Sequence, residues 1–213
     1  MAAGHDVLAV DATKVPRRFL RTGIRVTPPL RIAFLCTGVE IFNRGIESFF
    51  REAYDGLRGP LASMGIEARL FKGGGRSIPE RGETRVWCLP RTGRLASLVG
   101  KPVRRNSYVV EQWTFLPGAI RQIRKHRPDV IFYSDCDIAR RLYRWRKQIG
   151  VPYKMLYSNG APMHPPYGEV DHVQQVAPFY FDEAMTAGEP PGKQTLVPYG
   201  ISVPAGDPSC DPL

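Results

Sequence analysis

Apolar residues recur along this chain in two alternating rhythms. Arg31-Ile-Ala-Phe-Leu-Cys36 is a short, mostly apolar run closed by Thr37-Gly38, the pattern of a strand buried on both faces. Directly after it, Ile46, Phe49, Phe50, Ala53, Tyr54 and Leu57 fall at helical spacing and form one stripe, as in a helix packed on a core. Gly59-Pro60 is expected to end that helix. A second strand is predicted over Ala68–Phe71, stopped by Gly73-Gly74-Gly75. Residues 72–107 read as loop-rich, with one short apolar run at Val86-Trp87-Cys88-Leu89. Val109, Trp113, Leu116, Ile120 and Ile123 predict a helix over much of 108–126, with Pro117 marking a kink or a junction of two helices.

The alternation continues beyond Pro128-Asp129. A strand is predicted at Val130–Tyr133, and Ile138, Leu142, Trp145 and Ile149 mark a helix ended by Gly150. Further strands are predicted at Tyr153–Tyr157, Val173–Val176 and Gln194–Val197, with a short helix near 179–187. This order predicts an α/β fold: a single Rossmann-like domain, with a parallel sheet and helices on both faces. It should span 31–203. Residues 1–30 lack a sustained period and read as an irregular leader; 204–213, rich in proline, read as a truncated linker or tail.

Composition narrows the class. With 213 residues, 43% of them apolar, the chain can bury one substantial core. No apolar run is long enough to span a bilayer, and no signal-peptide pattern follows Met1, so a cytoplasmic protein is expected. Cys36, Cys88, Cys136 and Cys210 form no C-x-x-C pair and have no His at zinc-finger spacing; reduced thiols are expected, and no metal.

The net charge of +10 is uneven. Residues 101–150 carry twelve Lys/Arg and four acids, whereas 151–213 carry two bases and seven acids. A stripe of Arg140, Arg141, Arg144 and Lys147 lies opposite the apolar face of its helix. It is either a solvated surface or a contact for an anionic partner such as a membrane surface. The cations are scattered over helices without a helix-turn-helix, RRM or zinc-finger pattern, which argues against nucleic acid.

Ligands of open parallel sheets bind beyond the carboxyl ends of the strands, which selects three loops. Residues 37–47 join the first strand to the first helix. Gly45 at the helix N-terminus, with Gly38 and Arg44, suits the approach of an anion. The plain alternative is an ordinary βα turn in which Glu47 complements the helix dipole. Neither a P-loop nor a G-x-G-x-x-G fingerprint is present. Ser134-Asp135-Cys136-Asp137 offers two carboxylates for acid–base or metal work, although such residues are more commonly helix caps. In Ser158-Asn159-Gly160-Ala161-Pro162-Met163-His164, His164 is either a general acid/base or an inert loop residue.

The order of these pieces resembles the N-terminal, acceptor-side domain of GT-B-fold glycosyltransferases, family 4 in particular. Arg44-Gly45-Ile46-Glu47 is similar to the family's Gly-Gly-x-Glu loop, with arginine for one glycine. Val170–Pro178 resembles its "vD.vi.vS" strand, with Ala177 in place of Ser, and Gly188–Ile201 resembles its "G.p..k..vipnGid" exit segment. The resemblance covers roughly 31–203. It implies that Gly38, Arg44, Gly45 and Glu47 border the diphosphate of a nucleotide-sugar donor, with transfer that needs no metal or other cofactor. Asn159 stands about where the family places a sugar-contacting His, so Asn159, Gly160 and His164 become acceptor or sugar contacts. The resemblance further implies a second, donor-binding domain, without which the chain should be inactive. A non-catalytic binding or membrane-anchoring subunit, working with a separate donor-domain protein, is the competing expectation.

Overall fold

A computed structural model describes residues 29–102, 104–160 and 163–198. Most of the expected leader, Ala161-Pro162, the end of the exit segment, the tail and Cys210 lie outside the described residues. In chain order the elements are β1 (Arg31–Cys36), α1 (Gly45–Ser63), β2 (Glu67–Lys72), β3 (Glu83–Arg85), α2 (Arg94–Gly100), α3 (Ser107–His126), β4 (Val130–Tyr133), α4 (Cys136–Ile149), β5 (Lys154–Asn159), β6 (His172–Gln175), α5 (Pro178–Thr186) and β7 (Gln194–Leu196). Short 3₁₀ turns precede β3 and β7. All seven strands are parallel, in the order β3-β2-β1-β4-β5-β6-β7.

Strand alternation divides the core in two. Ala33, Leu35, Ile131, Tyr133, Met155 and Tyr157 point to the face covered by Phe115, Ala119 and Ile123 of α3 and Ile138 and Leu142 of α4. Phe34, Cys36 and Phe132 point the other way, to Phe50 and Tyr54 of α1. There the rings of Phe34, Phe50 and Phe132 interlock, edge-on between Phe34 and Phe132 (5.3 Å) and stacked between Phe50 and Phe132 (5.1 Å), geometries that add to plain area burial. Beyond α1 this second face opens into an apolar hollow of about 690 Å³ that includes Ile32, Val130, Leu156 and Val197.

Three expectations change. Helix α1 runs through Gly59-Pro60 to Ser63, because Leu61 extends its apolar stripe onto the core and Pro60 removes only a late-turn bond. Two helices do not meet at Pro117, since α3 is one helix across it: that residue is exposed, while Leu116, Ala119 and Ile123 on either side of it are buried. The loop-rich 72–107 stretch also holds β3, only three residues long, and the seven-residue α2.

Candidate functional site

Strand order reverses at β1, which has β2 on one side and β4 on the other. Such a switch point leaves a crevice beyond the strand ends. Two of the predicted loops meet there. The Thr37 amide donates to Asp135 Oδ2 (2.7 Å), the Tyr108 hydroxyl donates to Asp135 Oδ1 (2.6 Å), and Thr37 Oγ1 bonds Glu111 Oε1 (3.1 Å). All but Tyr108 are buried. Asp135 occupies the N-cap position of α4 without capping it, which corrects the capping expectation. The physical reason is competition: the amide at the end of β1 and the Tyr108 hydroxyl take both carboxylate oxygens. The first turn of α4 is served instead by Gln112, whose Oε1 accepts from the Ile138 amide (2.9 Å). Burial holds the Asp135 carboxyl above its ordinary range, against the opposing pull of its bonds to Thr37 and Tyr108.

The centre of this network is a residue that periodicity did not point to. Arg91 donates to Glu111 from Nη2 (2.8 Å), Nε (3.1 Å) and its own backbone amide (2.8 Å), and Nη2 also lies 3.4 Å from Glu47 Oε1. Its guanidinium lies between the rings of Phe42 (4.3 Å) and Tyr108 (4.2 Å). Gly38 is the point of closest approach: a Cβ there would collide with the Glu47 side chain and stand 2.8 Å from Arg91 Nη2. Arg91 thus ties α3 to the β1–α1 loop. Its one sequence signal was a pair of polar residues, Glu111-Gln112, on the otherwise apolar inward face of α3.

The loop itself is held from below. Ile41 and Phe42 amides both donate to the Gly38 carbonyl (2.9 Å each), and Glu40 adopts a left-handed conformation (φ 63°) that is uncommon for a non-glycine residue. The Glu40 carboxylate is anchored by Arg51 and by the fully buried Lys72 (2.7 Å). Lys72 also pairs with the buried Glu83 (2.5 Å). Burial opposes charge on Glu83, but its bonds to Arg51 and Lys72 prevail and hold its carboxyl below the ordinary range. Gly73 and Gly74 form the wall: a Cβ on Gly73 would overlap the Thr37 carbonyl, and one on Gly74 would overlap the Glu40 backbone. These glycines, read in the sequence as a strand stop, are needed for that close approach.

At the top of the loop, Arg44 is exposed and occupies the N-cap position of α1 without a side-chain cap. The first turn of a helix has amides without intrahelical acceptors. Beside the loop lies a hollow of about 380 Å³ lined by Glu40, Phe42, Asn43, Glu47, Arg51 and Glu52 among others. A Cβ on Gly45 would meet nothing within 4 Å. The two loop glycines should therefore separate in a thermal melt. Gly45→Val should fold with a loss of no more than about 1 kcal/mol, whereas Gly38→Val should lose about 1–3 kcal/mol by overpacking; equal losses would contradict this placement.

The third loop divides. Asn159 is fully buried, and its Nδ2 donates to Tyr167 (3.0 Å) and Gln175 Oε1 (2.9 Å), so its amide is committed inside the domain. Gly160 is half-buried behind it. His164 is exposed, with Nδ1 2.8 Å from Glu183, beside a cavity of about 360 Å³ shared with Arg140, Arg144 and Glu169. The basic stripe is partly neutralised by the acidic C-terminal half: Glu169 pairs with Arg140 (3.2 Å) and Arg144 (2.5 Å). Arg141 lies over Trp113 (4.5 Å), and Lys147 is exposed.

No protein-family model matches the chain, and no curated protein matches it significantly. Solved structures do. A lipopolysaccharide outer core galactosyltransferase, WaaB, superposes with a TM-score of 0.55 at 13% identity, over 83% of this chain and 47% of its own. The fold is thus that of a Rossmann-like half of a glycosyltransferase, and the chain spans about half the length of that relative. The glycosyltransferase SnogD from Streptomyces nogalater (TM-score 0.44, 18% identity, 86% of this chain and 57% of its own) and the calicheamicin glycosyltransferase CalG4 (0.38, 13%, 76% and 36%) also match.

Proposed function

We propose that this chain is the acceptor-side half of a GT-B glycosyltransferase. In this reading it acts with a donor domain to transfer a sugar from a nucleotide-sugar to an acceptor. The observation that carries the reading is the switch-point crevice. Glu111 and Asp135 hold Thr37 and Arg91 holds Phe42 and Glu47, which fixes the loop that ends in Arg44, Gly45 and the uncapped first turn of α1. Helix N-termini with an adjacent arginine suit phosphate oxygens. The buried carboxylates are occupied in holding the loop, so the domain's contribution is positioning. The family 4 resemblance, which rests on Arg44-Gly45-Ile46-Glu47 and the late strand motifs, agrees with this assignment.

The test is turnover. The chain alone, screened against UDP- and GDP-sugars, is expected to form no product, because half a cleft cannot enclose a donor. Turnover by residues 1–213 alone would overturn the two-domain reading. Translating the adjacent DNA in all frames separates a donor domain encoded directly downstream from one on a separate co-encoded chain. Absence of both would favour a non-catalytic binding subunit, for which the exposed apolar surface of α2 is the supporting observation.

A further inference from the structure

Helix α2 is packed inside out. Its small residues, Ala96 and Gly100, face the protein, where Gly100 approaches the Arg105 carbonyl and lies against Val110 of α3. Its large apolar residues face outward: Leu95 is 63% exposed, Leu98 57% and Val99 49%. Trp87, in the segment leading to the helix, is 63% exposed as well. A helix that only completed the core would present the opposite faces. Grouped apolar exposure of this kind marks an interaction surface.

The charge around it names the partner. Residues 85–106 hold six cations, Arg85, Arg91, Arg94, Lys101, Arg104 and Arg105, and no acid. Arg91 is consumed in the crevice network, while Arg94, Lys101, Arg104 and Arg105 are exposed. Apolar residues on a short helix collared by cations, with a flanking tryptophan, match the boundary between acyl chains and anionic headgroups. No described helix is long and apolar enough to cross a membrane. The stripe on α4 is a weaker candidate, since Glu169 already pairs with Arg140 and Arg144.

We propose that α2 docks the domain on an anionic phospholipid bilayer, with Leu95, Leu98, Val99 and Trp87 dipping into the interface and Lys101, Arg104 and Arg105 contacting headgroups. Arg91, three residues before α2, contacts Glu47 and Phe42 of the crevice loop. Three residues span at most about 11 Å, so the docked helix borders the candidate site. The inference concerns this surface and stands independently of sugar transfer.

The experiment uses the full chain with vesicles of phosphatidylcholine, with and without 30% phosphatidylglycerol, at low and high salt. Binding is expected to be at least about tenfold stronger to the anionic vesicles and to weaken with salt. L95E/L98E should bind the anionic vesicles at least about tenfold more weakly, and R140Q/R144Q should bind them like the parent chain. Tryptophan emission should be quenched by phospholipids brominated on the acyl chain, and W87F should abolish that quenching. The W87F arm keeps the test decisive even if L95E/L98E fails to fold. Equal binding to both vesicle types, binding to neither, parent-like binding of a folded L95E/L98E, or quenching that persists in W87F would each overturn the proposal. Failure to bind either vesicle would assign the patch to a protein partner.

Discussion

Replacing Arg91 with alanine should cost about 3–5 kcal/mol of stability, the size expected when one member of a buried ion pair is removed. The loss is large because Glu111 is fully buried and Arg91 is its only cationic partner among the described contacts. Glu111 would keep the Thr37 hydroxyl and the residue 91 amide as donors, but not its counter-charge. Glu47 would lose its cation too, and the sandwich between Phe42 and Tyr108 would be emptied. Urea unfolding measures the difference. R91A/E111L should recover part of the loss, because it removes the stranded charge together with its partner. A loss below about 1 kcal/mol for Arg91→Ala would show that the network does not hold the loop.

Asp135→Ala ranks second. It strands the Thr37 amide and the Tyr108 hydroxyl, at about 1–3 kcal/mol for each buried group left without a partner. Asp135→Asn should be far milder, since the amide oxygen can accept from Thr37 and the NH₂ can donate to Tyr108. The two variants also separate by pH. The Asp135 carboxyl is raised in the folded state, so the native chain holds that proton more tightly than the unfolded chain does. Its contribution is fully present below the unfolded value and is lost as pH rises through the folded value. Asp135→Asn has no such dependence. Its stability relative to the parent should therefore rise between pH 3 and pH 7; a difference that stays flat or falls would contradict the assigned shift.

The regular part of the fold was legible because the apolar pattern and the packing agree. Strands β1 and β4 and the end of α4 at Gly150 fall where the runs predict. The parts that escaped are those where burial and polarity disagree. Lys72, Glu83 and Glu111 are buried charges satisfied by distant partners, and pairing over that separation leaves no local signature. Helix α2 hid because it is only seven residues long, too short for the spacing of Leu95, Leu98 and Val99 to stand out as a period. Arg91 lay in the same stretch, so the clamp on the crevice loop became visible only with the fold. The first loop and Asp135 lie beyond the strand ends and meet there through the Thr37 amide. The capping role expected of Asp135 failed because a cross-strand amide competes for the same oxygens.

The most direct test of the central claim is Gly45→Val in the complemented enzyme, with the donor domain fused or supplied in trans. A side chain at Gly45 meets no protein atom within 4 Å, so the melting temperature should stay within a few degrees of the parent. If this edge of the crevice faces the donor phosphate, kcat/KM should fall about 100-fold, as expected when a reacting group is displaced by roughly an ångström. Unchanged kcat/KM in a folded Gly45→Val enzyme would contradict the account and return the β1–α1 loop to an ordinary turn.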